Sequence, residues 1–353
     1  MLNRLKRLRK RCAFAKYCFS HGSDERFVKE VKELQDNPEL VLLEKYADEG
    51  PAEIYYHIFM EESQSGFFAD HNRLLGYLYF ADYYNMIPIV EYTDKYCYAE
   101  KGEIYGTNNP FEYYFLQPSE ISLQEMQKKN TVVRSRKNNT KIDASFSVKG
   151  YEKSEDYLQA MADITAKYIR LQPRVESQIQ KDWKSILPEK AEKGNILGCH
   201  VRGTDFKRNY NGHPVMVTIE EYADTVENLM KKDIYAGIFL ATDDANAVKL
   251  FKKRFEDKVF FYSDVTRSEG NETVMKSKSE RPNHHYELGF EVLRDMYSLS
   301  YCDGLVAGLS QVSFAARIQK KSTGREYSDL VILDKGINQH RNTNCIDDSR
   351  NNN

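Results

Sequence analysis

Two short segments of the chain combine residue types that bind phosphate. His200 and Arg202 alternate along a predicted strand, so both side chains leave it on one face, and Gly203 lets the backbone turn directly afterwards. The arginine fork donates two parallel charge-assisted hydrogen bonds, which suits a phosphate group. Ser310 and Gln311 open a helix directly after a strand, where unpaired N–H groups and the positive end of the helix dipole attract an anion. Together the two segments predict a pyrophosphate pocket.

A simpler interpretation of these residues stays open at this point. In it, Arg202 pairs with Asp205, Ser310 only caps its helix, and His200 is a core histidine whose hydrogen bonds are satisfied. Spacing alone favours neither interpretation.

Three further aspartates lie near predicted strand ends. Asp243 and Asp244 precede a helix that begins near Ala245, where they can cap that helix, bind a metal or orient a ligand. Asp295 interrupts the apolar face of a helix, and a carboxylate in that position needs a partner. The adjacent N–H donors of a guanine base suit a carboxylate; a salt bridge with Arg294 or solvent exposure is the alternative.

The C-terminal half must place these residues together, because its elements alternate regularly. The spacing predicts strands over 196–201, 235–241, 259–262, 305–307 and 330–333, and helices over 219–230, 245–255, 288–301 and 312–318. This alternation predicts a doubly wound parallel sheet, and ligands of such sheets bind beyond the carboxyl ends of the strands.

The N-terminal half predicts a second α/β unit. A buried strand at Ile54–Phe59, a loop at Gly66–His71, a helix at Asn72–Tyr84 and a strand at Pro88–Glu91 form a βαβ unit. Residues 134–150 predict a linker, and the helical stretch over 151–187 is broken at Pro173. We therefore predict a basic segment (1–23), an α/β domain (24–150), a helical connector (151–190), a Rossmann-like domain (191–334) and a disordered tail (335–353), with the site in the cleft between the two α/β domains.

Composition restricts the class of protein. The chain has 353 residues, of which 41% are hydrophobic and 29% charged, and its net charge is −2. This is a globular composition and a poor one for a general nucleic-acid binder, whose affinity comes from positive charge. The chain contains no apolar run long enough for a membrane helix, and its six scattered cysteines indicate neither a zinc site nor a disulfide framework.

The first sixteen residues hold seven bases and no acid. They predict either a short amphipathic helix on an anionic membrane or a solvated, frayed helix. Because no signal peptide is evident, we expect a cytoplasmic protein that contacts the inner face of the membrane.

Three ordered motifs resemble the α1,6-fucosyltransferase and protein O-fucosyltransferase superfamily. They are His200–Asp205 (HVRGTD), Leu240–Asp244 (LATDD) and Asp295–Asp303 followed by Ser310-Gln311-Val312. A weaker match joins Gly66–His71 with Asn109–Phe115, and the likeness covers about residues 54–319. The resemblance implies a GT-B-type fold with two Rossmann-like domains, GDP-fucose in the cleft, inversion at the sugar carbon and no required metal or other cofactor.

The resemblance also implies roles for individual residues. By position, Arg202 contacts the β-phosphate, while His200 and Asp295 contact guanine. Ser310 and Gln311 contact the diphosphate, and the weaker motif adds Gly66 and His71 to the nucleotide site. Asp243 and Asp244 match acids that the superfamily requires.

The chain departs from the superfamily pattern at two positions. Gly203 stands where the core fucosyltransferase has a second arginine, and Tyr210 stands near the position of its basic glutamate. A neutral tyrosine is a poor base at pH 7, which leaves Asp205 and His213 as candidates.

The resulting expectation is a fucosyltransferase that uses GDP-fucose and a glycan hydroxyl, with α1,6 chemistry. The alternatives are an α1,2-fucosyltransferase, a transferase of another GDP-sugar, and an inactive sugar-nucleotide-binding scaffold. Residues 267–285 form either a mobile flap over the nucleotide or a solvated loop.

Overall fold

A computed structural model describes residues 9, 11–13, 15–16, 19–23, 53–129, 132–135, 148–149, 152–192, 194–203, 211–270 and 273–339. Asp205, Tyr210 and most of the basic N-terminal segment lie outside these residues, as do 24–52, most of the 134–150 linker and the chain after 339. None of the helices in the described ranges is long and apolar enough to span a membrane.

The N-terminal half is a three-stranded parallel sheet with one long helix. Its elements are β1 (Tyr55–Ser63), α1 (Phe67–Tyr83), β2 (Ile87–Tyr96), α2 (Leu123–Met126) and β3 (Val132–Arg134), and the strand order is β2-β1-β3. The predicted βαβ unit is confirmed. The loop predicted over Gly66–His71 is wrong, because Phe67 and Phe68 are buried and already belong to the first turn of α1.

A helical segment joins the two sheets. The short antiparallel strands β4 (Val148–Lys149) and β5 (Glu152–Lys153) precede α3 (Glu155–Tyr168) and α4 (Pro173–Ile186). The side chain of Ser154 caps α3, and Pro173 occupies the first turn of α4, where its missing N–H costs nothing. The predicted break at Pro173 is therefore confirmed.

The C-terminal half alternates strands and helices as predicted. Its elements are β6 (Asn195–Val201), α5 (Ile219–Met230), β7 (Tyr235–Thr242), α6 (Ala245–Phe255), β8 (Val259–Phe260), α7 (His284–Tyr301), β9 (Gly304–Gly308), α8 (Gln311–Ser322) and β10 (Asp329–Leu333). All five strands are parallel in the order β10-β9-β6-β7-β8. The order reverses between β6 and β9, and open sheets of this kind bind ligands in the crevice at that switch point.

The two halves share a continuous hydrophobic core, to which α1, α3, α7 and α8 all contribute. The rings of Tyr114 and Tyr286 stack across the boundary at 5.3 Å, and the Tyr114 hydroxyl donates to the Tyr286 carbonyl at 2.8 Å. One Glu100 oxygen accepts the backbone N–H groups of His285 and Tyr286 at 2.7 and 3.0 Å, which supplies the first turn of α7 with a cap from the other half. The α/β class with two parallel-sheet halves of the GT-B type is confirmed.

The prediction that a disordered tail starts at residue 335 is wrong. Residues 336–338 pair with 212–215 through four backbone hydrogen bonds and bridges, including Gly212 to Asn338 at 2.9 Å and Val215 to Gly336 at 2.9 Å. Gly336 has a φ of +85°, which glycine adopts without strain and which turns the chain toward that pairing. The polar composition of this stretch gave no sign of the pairing, because backbone groups make it.

Candidate functional site

Arg202 lies directly after β6, at the switch point of the sheet. Its guanidinium forms an ion pair with Asp243, whose other carboxylate oxygen accepts the Gly203 N–H at 3.1 Å. The Arg202 side chain is 28% exposed, so it is held on one side and reaches the surface on the other. Asp243 therefore orients the arginine, while the pairing of Arg202 with Asp205, one of the two sequence interpretations, lies outside the described residues.

Gly203 is required by the close approach of Asp244. A Cβ atom added at position 203 would lie 2.5 Å from Asp244 Oδ2 and 2.8 Å from Asp244 Cβ. Asp244 is fully buried and caps α6 by accepting the Asn246 N–H at 2.9 Å. The capping interpretation of Asp244 is thus confirmed, and the packing explains why an arginine does not fit at position 203.

Substitution of Gly203 with alanine is expected to destabilise the fold by about 1–3 kcal/mol, because the new methyl group overpacks against a buried cap. Thermal unfolding measures this change. Gly102→Ala is the matched control, since no atom lies within 4 Å of its added Cβ. Equal melting temperatures for the two variants would contradict the packing argument.

The N-terminus of α8 contacts the strand that precedes Arg202. Ser310 caps the helix by accepting the Ser313 N–H at 3.2 Å, and its hydroxyl lies 3.3 Å from His200 Nδ1. Burial lowers the pKa of His200 to about 4, with a smaller opposing effect from Asp243. The imidazole is therefore neutral at pH 7, and its Nδ1 shares a hydrogen bond with the Ser310 hydroxyl.

Gln311 connects α8 to the N-terminal half. The side-chain amide of Asn72, on α1, donates to Gln311 Oε1 at 2.8 Å and to its carbonyl at 3.1 Å. The side chains of Ser310 and Gln311 thus position the helix, and the backbone N–H groups of its first turn other than that of Ser313 remain for an anion. We call His200, Arg202, Asp243 and Ser310 the switch-point cluster.

The first turn of α1 is held by Tyr98. Gly66 is its N-cap and has no atom within 4 Å of an added Cβ, while the Phe67 N–H donates to the Tyr98 hydroxyl at 3.2 Å. Burial raises the pKa of Tyr98 above its ordinary value, and the charge of Arg202 is one of the smaller effects that offset that rise. The charge of Arg202 therefore acts on the side chain that holds the start of α1.

His71 does not join the switch-point cluster. Its ring stacks on Phe115 at 5.4 Å and packs edge-on to Phe68, inside the aromatic core. Burial lowers the pKa of His71 to about 4. The next residue, Asn72, makes the contact across the boundary, and sequence reasoning missed it because α1 looks like a plain apolar helix.

Asp295 lies on α7 and is 8% exposed. It forms no hydrogen bond or ion pair with any residue that the structure describes, and its neighbour Arg294 is held instead by Asp182 and Asp264. Burial raises the pKa of Asp295 to about 7, partly offset by the charges of Arg267 and Arg294. The predicted salt bridge with Arg294 is therefore wrong, and the carboxylate still needs a partner.

The segment predicted as a flap is tied to α7 where it is described. Arg281 donates to His284 Nδ1 at 2.8 Å and pairs with Glu291, and the Thr266 N–H donates to the same glutamate at 2.9 Å. These contacts hold both ends of the segment against α7 and favour a fixed position for those ends over a mobile flap.

A cavity of about 1650 Å³ opens at the carboxyl end of β2. Its walls come from the end of β2, from residues 99–112 and from residues 275–285 of the other half. The sequence predictions missed it, and none of the predicted site residues lines it. Gln64 does line it, two residues before the N-cap of α1, so the cavity lies next to that helix end.

Within the described ranges, no group of three or more His, Cys, Asp or Glu side chains is arranged to hold a metal ion. No protein-family model and no curated protein matches the chain. Among solved structures, those similar to the chain include fucosyltransferases, the class of enzyme that the sequence motifs resemble.

Three of these structures span most of the chain. NodZ alpha-1,6-fucosyltransferase soaked with GDP-fucose is 14% identical with a TM-score of 0.42, covering 76% of this chain and 93% of its own. POFUT1 in complex with GDP-fucose is 11% identical with a TM-score of 0.45, and the match covers 80% of this chain and 98% of POFUT1. FUT1 of Arabidopsis thaliana, a mutant in complex with GDP, is 11% identical with a TM-score of 0.40, and the match covers 87% of this chain and 75% of FUT1.

Proposed function

We propose that this chain is an inverting glycosyltransferase that transfers fucose from GDP-fucose to a hydroxyl group of a glycan, with α1,6-fucosyltransferase-like chemistry. The observation that carries the proposal is that Arg202, paired with Asp243 at the switch point of a parallel sheet, directly follows a strand whose His200 lies 3.3 Å from Ser310, the N-cap of α8. An arginine fork and a helix N-terminus both bind phosphate, and here one nucleoside diphosphate can contact both.

The same two groups fit the chemistry of the donor. The acceptor oxygen forms a bond to fucose C1 while the bond from C1 to the β-phosphate oxygen breaks, and GDP leaves with the electron pair. The proton of the acceptor hydroxyl passes to a base. Negative charge grows on the departing phosphate, where Arg202 and the α8 amides would stabilise it without reorganising. We propose on this ground that the reaction requires no metal ion.

The guanine base would occupy the side of the cluster next to α7. A buried, unpaired Asp295 can accept the two adjacent N–H groups of guanine, and the neutral imidazole of His200 can donate or accept a further hydrogen bond. Asp243 orients Arg202, and Asp244 holds the start of α6 against Gly203. The candidates for the catalytic base are Asp205 and His213, which lie near Tyr210 in the sequence.

The acceptor would enter through the cavity beside β2. Its lining includes amides, carboxylates and lysines, which suit a hydroxyl-rich ligand such as an oligosaccharide. The cavity lies next to the α1 N-terminus. The bases of the first sixteen residues support a peripheral contact with an anionic membrane, at its cytoplasmic face, as part of the proposal.

The experiment that tests the function measures thermal stabilisation by GDP and the release of GDP from GDP-fucose, with GDP-mannose as the matched donor control. We expect GDP to raise the melting temperature and GDP-fucose to be consumed faster than GDP-mannose. A screen of oligosaccharide acceptors then gives the linkage by mass spectrometry. Binding of GDP-fucose without transfer or hydrolysis would favour the inactive scaffold, and no binding at millimolar GDP would end the proposal.

A further inference from the structure

The buried charges along α7 are paired, except at one position. Arg281 pairs with Glu291, and Arg294 is held by two aspartates. Asp295, which is more than nine-tenths buried, has no partner among the residues that the structure describes. An unpaired buried carboxylate is costly, so a ligand that donates hydrogen bonds to Asp295 would be stabilised at this position.

The segment after β8 lies along the face of α7 that carries Asp295. The Tyr262 hydroxyl forms a 2.8 Å hydrogen bond with the hydroxyl of Ser298, three positions after Asp295. The Thr266 N–H donates at 2.9 Å to Glu291, four positions before Asp295. Arg267 follows Thr266 directly and is thereby set close to the unpaired carboxylate.

The guanidinium of Arg267 is fixed without being neutralised. It donates to the backbone carbonyls of Tyr262 at 2.8 Å and Val265 at 3.2 Å, and it forms no ion pair with a described carboxylate. Its Nε is buried and has no hydrogen-bond partner in the described ranges. An arginine has five N–H groups in a rigid fork, so donors remain for a ligand.

The two groups act on each other electrostatically although they are not in contact. Burial lowers the pKa of Arg267, and the charge of Asp295 is the largest opposing effect. Burial raises the pKa of Asp295, and the charge of Arg267 is again the largest opposing effect. A half-buried cation and a buried anion thus influence each other without pairing.

That arrangement matches one edge of guanine, where the O6 acceptor stands beside the N1–H and N2–H donors. Adenine presents the reverse polarity, with a donor at C6 and an acceptor at N1. We infer that Arg267 binds O6 of guanine while Asp295 accepts N1–H and N2–H, so that Arg267 determines the preference for guanine over adenine. This inference rests on the proposed use of a GDP-linked donor.

Arg267, which would contact the base, is connected to the proposed phosphate site through the next residue. Ser268, next to Arg267, donates its N–H to the Asp243 carbonyl at 2.9 Å and accepts the Ala245 N–H at 3.0 Å. Arg267 therefore lies on the β7 side of the switch-point cluster, and one nucleotide can contact both.

The test measures the affinities of GDP, IDP and ADP for the full chain by titration calorimetry, in the wild type and in Arg267→Met, Asp295→Asn and Arg254→Met. IDP keeps O6 and N1–H but lacks the N2 amino group. The exposed ion pairs of Arg254 with Asp224 and Glu227 make it the matched control. Melting temperatures verify that each variant is folded.

We expect the wild type to bind GDP at least about a hundredfold more tightly than ADP. Arg267→Met should lower the affinities for GDP and IDP by the same factor, about tenfold or more, and leave the affinity for ADP unchanged. Asp295→Asn should weaken GDP more than IDP, because only GDP loses the N2 contact. Arg254→Met should change none of the three affinities.

Two results would overturn the inference even if the chain binds nucleotides. The first is equal affinity of the wild type for GDP and ADP. The second is an Arg267→Met variant whose affinities for all three nucleotides fall by the same factor, which would make Arg267 a structural residue. Absence of binding for every nucleotide would remove the proposed function and this inference with it.

Discussion

Replacement of Arg202 with alanine is expected to lower kcat/KM for GDP-fucose by about a thousandfold, because it removes the charged group that stabilises the departing diphosphate. Most of the loss should appear in kcat, since the negative charge on the β-phosphate grows as the bond breaks. Arg202→Lys should recover only part of the activity, because an ammonium group lacks the fork that binds two phosphate oxygens. GDP release from GDP-fucose measures both variants.

The control for this prediction separates catalysis from folding. Loss of Arg202 leaves Asp243 without its ion pair, so melting temperatures of both variants must be compared with the wild type. Arg254→Ala removes an arginine whose ion pairs lie on α5 and should leave turnover unchanged. A folded Arg202→Ala variant with turnover within threefold of the wild type would contradict the role of Arg202.

The second large effect is a pH dependence of nucleoside binding that comes from Asp295. Burial raises the pKa of Asp295 to about 7, and only the ionised carboxylate accepts both N–H groups of guanine. Affinity for guanosine should therefore fall about tenfold per pH unit below 7, which makes it about a hundredfold weaker at pH 5 than at pH 8. Guanosine is the probe because it carries no phosphate that titrates in this range.

The stability of the unliganded chain should depend on pH in the opposite direction. Because the pKa of Asp295 is higher in the folded chain than the ordinary 3.8, the folded state binds the proton more tightly. The contribution of Asp295 to stability is fully present below about pH 4 and is lost as the pH rises through about 7. Its upper limit is about 4 kcal/mol.

Asp295→Asn checks both pH effects in one variant, since the amide is nearly isosteric and does not titrate. The difference in free energy of unfolding between wild type and variant should change between pH 4 and pH 8 in favour of the variant. Guanosine binding to the variant should be weak and independent of pH. A wild type whose guanosine affinity is constant from pH 5 to pH 8 would show that Asp295 does not contact the base.

The order of the elements was predictable from the sequence because its signals are local. Apolar runs bounded by Gly, Pro and Asp gave the five parallel strands of the C-terminal half, and helix α6 begins and ends where its periodicity placed it. The start of α1 was not predictable in the same way. Gly66 looked like part of a loop, and only the burial of Phe67 and Phe68 against the rest of the core shows that the helix begins there.

The candidate site was predictable in its residue types and less so in its pairings. Arg202 pairs with Asp243, and Ser310 lies 3.3 Å from His200 on the strand that precedes Arg202, since parallel strands end at one edge of the sheet. The partner of Arg202 and the contact between Asn72 and Gln311 depend on packing between residues far apart in the chain, about which local patterns carry no information. The unpaired state of Asp295 likewise became visible only once its neighbours had been paired with other groups.

The most direct measurement of the central claim compares the affinities of GDP and GMP by titration calorimetry, in the wild type and in Arg202→Ala. If Arg202 and the first turn of α8 hold the terminal phosphate of the departing nucleotide, the wild type binds GDP at least about tenfold more tightly than GMP, and the variant binds the two alike. Equal affinity in the wild type, or a preference for GDP that survives the loss of Arg202, would contradict the claim.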